Sequence, residues 1–109
     1  QFGTELDRIS QAQLDRGIRL TEILKQSQFE PLPIEKQVVI LYAGNRGYLD
    51  EIPVAKIRDY EKKLYAFIER EHPEIFSGIA DKKALDKPLD QAIAAALEEF
   101  GRRFREENA

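Results

Sequence analysis

The fold of this chain is decided by residues 20–50, LTEILKQSQFEPLPIEKQVVILYAGNRGYLD. A short polar run at residues 25–28 is predicted to close one helix. Pro31 and Pro33 then bracket a turn, and Pro33 suits the first turn of a new helix because that position needs no backbone donor. The stretch therefore predicts two helices joined by a linker over residues 26–32.

The second of these helices, predicted over residues 33–43, is apolar on nearly every side from residue 38 onward. Such a helix is expected to lie buried within a bundle. Gly44 is predicted to end it, because glycine adopts the left-handed conformation that closes many helices without steric cost. Residues 44–53, which we call the corner, are predicted to turn the polypeptide toward the next helix.

Outside this stretch, apolar residues recur at the three- and four-residue spacing of amphipathic helices. This periodicity predicts helices over residues 4–25, 53–71, 74–80 and 86–105, and no strand. The sequence therefore predicts an all-α fold, an irregular bundle of about five helices, in which residues 1–109 form a single domain.

Gly17 interrupts the first predicted helix, where glycine costs about 1 kcal/mol relative to alanine. Two interpretations stay open at this point. The glycine is either tolerated on an exposed face, or it permits the close approach of another helix.

The composition is typical of a folded globular domain, with 42% apolar and 34% charged residues in a total of 109. The net charge of -3 gives no general attraction to nucleic acid. The absence of cysteine excludes disulfides and thiolate sites. No apolar run reaches the ~20 residues of a membrane helix, so we expect no direct membrane insertion.

Two features of the sequence suggest an excised domain or a processed polypeptide. The sequence contains no methionine, and it opens on Gln1, Phe2 and Gly3 without a polar lead-in. We therefore expect these residues to belong to a longer polypeptide.

The two glycines of the corner do not form a phosphate-binding loop. Such a loop carries a longer glycine pattern ending in Lys and Ser or Thr, and it stands at a helix N-terminus. Gly44 and Gly47 instead follow a predicted helix C-terminus, whose partial negative charge repels phosphate. A capping and turning role is the better interpretation.

The remaining candidates for chemistry are isolated. His72, the single histidine, stands at a predicted helix end with no second strong metal ligand on the same helix face. Asp50 and Glu51 share a loop that we expect to be wet, so their pKa values would not separate as acid–base catalysis requires. We predict an exposed acidic surface that meets a basic partner, no catalytic residue and no metal-ligating residue.

Gln26 and Gln28 lie in the predicted linker, with one residue between them. Two neighbouring amides present paired donors and acceptors, which suit the edge of a heterocyclic base. Because glutamine is common in loops, this pattern alone carries little weight.

The sequence resembles the C-terminal helical domain of the alpha subunit of the proton-driven ATP synthase over almost its whole length. The match is strongest from Gln13 to Pro53 and fades after about Ala80. It is carried by Gln13-Leu14, Arg16-Gly17 and the segments at residues 19–22, 24–26, 31–33, 42–44 and 47–50.

The resemblance implies that the protein is part of the alpha subunit, the regulatory subunit that binds nucleotide without catalysis. The complex makes ATP from ADP and phosphate using a transmembrane proton gradient. The resemblance implies that Gln26 and Gln28 border the adenine of the non-catalytic nucleotide. It also implies a loop facing the central rotor stalk, formed by Gly44, Asn45, Arg46, Gly47, Tyr48, Leu49, Asp50 and Glu51.

The resemblance also implies the surroundings of the domain. Its partners would be the beta subunits, the central stalk (gamma) subunit and its own nucleotide-binding domain, with no nucleic acid. No cofactor is expected in this segment, whereas the full-length subunit would hold ATP or ADP with magnesium. The complex would lie peripherally on the inner face of the bacterial plasma membrane, or on an organellar inner or thylakoid membrane.

Two other function classes are weighed against this one. A free-standing helical adaptor would offer an apolar groove to another helix. A small hydrolase would use His72 with nearby carboxylates, and it is the weakest of the three because the histidine lacks defined partners.

Overall fold

The computed structural model of the protein describes residues 2–29, 32–82 and 84–107, with side chains described for residues 7–25, 32–82 and 84–107. These residues form five α-helices and no strand, which confirms the all-α prediction. The helices are α1 (Phe2–Phe29), α2 (Ile34–Asn45), α3 (Ile57–Glu71), α4 (Pro73–Lys82) and α5 (Lys87–Glu107), and a 3₁₀ turn (Val54–Lys56) precedes α3.

The first helix is longer than the sequence predicted. It was expected to end at residue 25, but α1 continues to Phe29, so the prediction of a linker beginning at residue 26 is wrong. Residues 26–28 are polar but contain neither glycine nor proline, and nothing in the backbone forces the helix to stop there. Pro31 is the first residue that disfavours helical geometry in the residue before it.

The second helix begins after Pro33, as predicted, and the carbonyl of Pro33 accepts hydrogen bonds from the amides of Lys36 and Gln37. Its end differs from the prediction. Gly44 lies buried inside α2 instead of closing it, and the left-handed residue is Gly47, with φ of 86°. The helix runs on to Asn45, so the backbone reverses three residues later than expected.

The two interpretations of Gly17 are separated by the packing of α1. A Cβ built on Gly17 would meet no atom within 4 Å, so this glycine is a tolerated one on an open face. The close helix approach occurs at Gly44, where a Cβ would lie 2.7 Å from Cδ2 of Leu20.

The later helices follow the predicted order with small differences in their bounds. The segment predicted as one helix over residues 53–71 opens with the 3₁₀ turn before α3. Pro73 begins α4, where proline is well tolerated in the first turn. The carboxylate of Asp86 accepts a hydrogen bond from the amide of Leu89 at 3.0 Å and so caps the start of α5.

The core lies between α2, α3, α4 and α5, and Ile23 adds α1 to one side of it. Tyr60 of α3 meets the rings of Phe100 and Phe104 of α5 edge-on, with centroids 5.0 and 5.2 Å apart. Residues 7–14 of α1 are all exposed, so this helix joins the bundle through its second half. The position of the start of the corner is therefore set by α2. The second half of α1 lies beside the corner and sets the position of its side.

Candidate functional site

The corner is a compact series of turns between α2 and the 3₁₀ turn. The amide of Tyr48 donates to the carbonyl of Ala43 at 2.9 Å, and the amide of Ile52 donates to that of Leu49 at 3.0 Å. Leu49 and Ile52 are buried in the core, and their packing there anchors the segment. The backbone of the corner is consequently well defined, although several of its polar side groups face solvent.

Arg16 of α1 holds Asp50 of the corner with a two-pronged contact. Its Nη2 lies 2.6 Å from Oδ2 of Asp50 and its Nε lies 3.2 Å from Oδ1. Its Nη1 also donates to the carbonyl of Asn45 at 3.4 Å. The hydrogen bond to Asp50, together with the charge of that carboxylate, raises the pKa of the Arg16 guanidinium. The fork geometry is the one in which arginine recognises a carboxylate most specifically.

A second arginine, about one helical turn further along α1, holds the far end of the corner. Nε of Arg19 donates to the carbonyl of Ile52 at 2.9 Å. Nη1 of the same arginine donates to the carbonyl of Asp15 at 3.0 Å, which fixes it against its own helix. The corner is thus bonded to α1 near both of its ends.

On the opposite side, α5 reaches the corner through longer contacts. Arg46 lies 3.6 Å from a carboxylate oxygen of Asp90, and its guanidinium lies over the ring of Tyr42 at 4.7 Å. Glu51 lies 3.6 Å from Arg105 and is 80% exposed. Both ion pairs are open to water, where such pairs contribute little.

These contacts bear on the prediction of an acidic pair that meets a basic partner. Asp50 meets its basic partner, Arg16, within the same polypeptide. Glu51 stays available to solvent and to another molecule. The side chains of Asp50 and Glu51 are 39% and 80% exposed, so neither has the buried setting that acid–base catalysis by a carboxyl pair requires.

His72 links three helices at the junction of α3 and α4. Its Nδ1 lies 3.5 Å from Glu74, its Nε2 lies 3.5 Å from Glu99 of α5, and its ring stands 5.5 Å from that of Phe67. This setting is a structural one at a helix end. Within the described ranges, no cluster of three or more His, Asp or Glu residues has the arrangement of a metal site.

The predicted adenine-edge residues fall on the last turns of α1. The backbone of Gln26 and Gln28 is helical and not the irregular loop that the sequence suggested. Two positions that are two residues apart on a helix are separated by about 200° around its axis. Their side groups lie outside the described residues, so the prediction of an adenine contact stays a prediction.

Reasoning from the sequence missed a buried carboxylate. Glu61 of α3 is 5% exposed, and the hydroxyl of Tyr65 donates to its Oε1 at 2.7 Å. The signal was present in the spacing, because Glu61 occupies a core position between Ile57, Leu64 and Ile68. It borders a cavity of about 300 Å³ that is also lined by Leu32, Lys36, Arg58, Lys62, Ala66 and Glu69.

An apolar groove of about 490 Å³ lies between the start of α2 and the end of α4. Its walls are formed by Ile34, Val38, Ile79, Ala80, Ala84 and Leu85. Ile34 is 63% exposed, which leaves this rim open to solvent.

Among the described helices, none has both the length and the apolar character needed to cross a membrane.

Comparison with known proteins shows which protein family this sequence is similar to. A sequence model described as "ATP synthase alpha/beta chain, C terminal domain" matches residues 1–100. The ATP synthase subunit alpha of Aquifex aeolicus is 49% identical over 104 residues, which make up 95% of the present sequence and 21% of that protein. Those of Helicobacter acinonychis and Wolinella succinogenes are 52% and 51% identical, each over 92% of the present sequence and 20% of their own length.

Proposed function

Because this protein belongs to the family of C-terminal domains shared by the alpha and beta subunits of ATP synthase, we propose that it is the C-terminal helical domain of an alpha subunit of proton-translocating ATP synthase. The resemblance predicted from the sequence is confirmed by that family match. The observation that carries the proposal is the identity of about half of all residues to alpha subunits across 92–95% of the sequence. The protein spans about one-fifth of the length of those relatives, so the activity of the whole subunit is part of the proposal.

In this proposal the domain has a mechanical and regulatory role. It packs against its own nucleotide-binding domain and the neighbouring beta subunits in a head of three alpha and three beta subunits. The corner faces the central stalk. Support comes from the corner itself, which has a firmly bonded backbone yet presents Arg46 and Glu51 to solvent. Accessible charges on a surface orient a partner of complementary charge and make the contact specific.

Disulfide cross-linking in the assembled complex tests the orientation of the corner. Glu51→Cys would be introduced into the full-length alpha subunit, and a series of single cysteines would be placed along the stalk subunit. Because the present sequence has no native cysteine, any product from this domain reports the introduced residue. We expect oxidation to join Glu51→Cys to the stalk subunit in an electrophoretic band that reducing agent removes.

The matched control is Glu74→Cys, at another exposed carboxylate, next to the junction of α3 and α4. It should give no product with the same stalk cysteines. Equal cross-linking from both positions, or none from Glu51→Cys at any stalk position, would refute the stalk-facing orientation.

We also propose that Gln26 and Gln28 contribute to the edge of the non-catalytic adenine site in the full-length subunit, which would hold ATP or ADP with magnesium. Since their positions on α1 are about 200° apart around the helix axis, the two amides are best tested one at a time. The loss of one hydrogen bond would weaken retention of the non-catalytic nucleotide by about tenfold, or ~1.4 kcal/mol.

The measurement is the amount of adenine nucleotide that stays with the purified complex after gel filtration. Gln26→Ala and Gln28→Ala would be compared with Gln13→Ala, a third glutamine on the exposed part of α1. If all three variants retain nucleotide as the parent does, the adenine contact is wrong.

The proposed complex is peripheral on the inner face of the bacterial plasma membrane, or on the corresponding organellar membrane. Cell fractionation with an antibody against this domain tests the location. The domain should sediment with membranes at moderate salt and be released when the ATP synthase head is detached at low ionic strength. Recovery only in the soluble fraction under every condition would count against the assignment.

A further inference from the structure

The corner has unequal connections to the two helices beside it. On the α1 side, Arg16 and Arg19 supply contacts of 2.6, 2.9 and 3.2 Å to Asp50 and Ile52. On the α5 side, the ion pairs Arg46–Asp90 and Glu51–Arg105 are both 3.6 Å. Charge-assisted hydrogen bonds weaken steeply beyond normal bonding distance, so the polar contacts on the α1 side are stronger than those on the α5 side.

The backbone of the corner is shaped to admit this arginine. Gly47 has φ of 86°, and a Cβ at that position would lie 2.8 Å from Nη2 of Arg16 and 3.2 Å from Oδ2 of Asp50. The glycine thus provides both the left-handed conformation and the space for the two-pronged contact. Arg16, Gly47 and Asp50 thus together form the contact that joins α1 to the corner.

We propose that Arg16 and Arg19 are the positioning residues of the corner, so that the corner moves as one body with α1 and not with α5. The functional consequence of this inference rests on the proposed function: when α1 moves, Glu51, the exposed acidic residue next to Asp50, would move with it. Lysine would not replace Arg16, because an ammonium group cannot span both carboxylate oxygens and the carbonyl of Asn45 in fixed geometry.

Two measurements on the assembled complex test the connection without assuming where the corner faces. The first is hydrogen–deuterium exchange of the amides in residues 44–53. With Arg16→Ala we expect exchange to rise about five- to tenfold, because local opening of this segment no longer has to break the two-pronged contact with Asp50. Arg105→Ala, which removes the α5 contact of Glu51, is the matched control and should leave the rate within about twofold.

The second measurement is the distance between spin labels on Ser10→Cys and Glu51→Cys, in a subunit whose other cysteines are replaced. Both positions are exposed, one on α1 and one on the corner. The distance distribution should broaden with Arg16→Ala and stay narrow with Arg105→Ala. Arg16→Asp combined with Asp50→Arg should restore the narrow distribution, which a general loss of stability would not do.

If Arg16→Ala prevents assembly, Asp50→Asn removes the charge while keeping the size of the side group, and the same broadening is expected. Unchanged exchange and unchanged distances in these variants would overturn the inference, as would equal effects of Arg105→Ala. These outcomes are distinct from the stalk cross-linking of Glu51→Cys. A corner that follows α1 but never cross-links to the stalk would refute the proposed orientation and leave the positioning role intact.

Discussion

The Cα of Gly44 faces Leu20 so closely that a methyl group on the glycine would lie 2.7 Å from Cδ2 of the leucine. The contact joins the second half of α1 to the last turn of α2, directly before the corner. It is one of the places at which α1 fixes the direction in which the backbone leaves α2.

Replacing Gly44 with alanine should therefore destabilise the domain. The added methyl group has to displace Leu20, and overpacking of this kind costs about 1–3 kcal/mol. The measurement is the free energy of unfolding by urea, followed by circular dichroism of the helical backbone. The partly buried Leu20 offers a rescue: Leu20→Ala should restore part of the loss in the double variant, because it removes the atoms that clash.

The matched control is Gly17→Ala on the same helix pair. Its Cβ would enter open space, so alanine should raise the free energy of unfolding by about 0.5–1 kcal/mol through its better helix propensity. A stabilising effect of Gly44→Ala, or a destabilising effect of Gly17→Ala, would contradict this account of the two glycines.

The glycines also show what the sequence could and could not predict. Helix order and type followed from apolar periodicity, whereas the ends of α1 and α2 and the start of α3 were displaced from their predicted positions. The role of each glycine depended on which helix lies against it. Because that is a tertiary contact, Gly17 and Gly44 could not be told apart from local sequence.

The candidate site was predictable to a similar degree. The corner and its acidic pair were located by the glycines and by the resemblance, but the partner of Asp50 was not. Arg16 lies 34 positions away in the sequence, and no local pattern connects the two residues. In the same way, the extension of α1 past residue 25 could not be predicted from the polar run at residues 25–28, because polar residues occur both within helices and in linkers.

Tyr60 and Tyr65 give opposite predictions for the same substitution. The hydroxyl of Tyr60 is buried and has no hydrogen-bond partner in the part of the protein that the structure describes. Tyr60→Phe removes an unsatisfied polar atom and keeps the ring against Phe100 and Phe104. We expect the free energy of unfolding to be unchanged or to increase by up to about 1 kcal/mol.

Tyr65→Phe, in contrast, removes the donor to the buried carboxylate of Glu61. Loss of a hydrogen-bond partner from a buried polar group typically costs about 1–3 kcal/mol, so this variant should unfold at lower urea concentration. Burial and the hydrogen bond to Glu61 raise the pKa of the Tyr65 hydroxyl, so it stays a donor throughout the physiological range. Equal stability of the two variants would mean that the Glu61 hydrogen bond contributes nothing.

The corner glycine Gly47 offers a test of the backbone itself. Its φ of 86° is strained for any residue with a Cβ, and alanine there would also press against Arg16. We expect Gly47→Ala to lower the free energy of unfolding by about 1–3 kcal/mol. Gly101→Ala, at a helical position of α5 with open space around it, is the control and should be neutral or stabilising.

The loss of folding stability at acidic pH should depend on Glu71. Hydrogen bonding to Arg103 is the main cause that holds the pKa of Glu71 below its ordinary value of 4.5. A carboxylate whose pKa is lowered by folding contributes stability that is fully present above its unfolded pKa and is lost as pH falls through its folded pKa. Stability should therefore decline below about pH 4.5, partly through this residue.

Glu71→Gln should flatten that decline, because glutamine does not titrate. The measurement is the midpoint of urea unfolding from neutral pH to well below the ordinary pKa of the carboxyl group, for the parent, Glu71→Gln, Arg103→Ala and the double variant. Arg103 lies 2.6 Å from Glu71 and also contacts Glu99, so its removal should reduce the pH dependence of the parent but not that of Glu71→Gln to the same extent. If stability declined equally with falling pH in all four proteins, this exposed ion pair would not be the cause of the pH dependence.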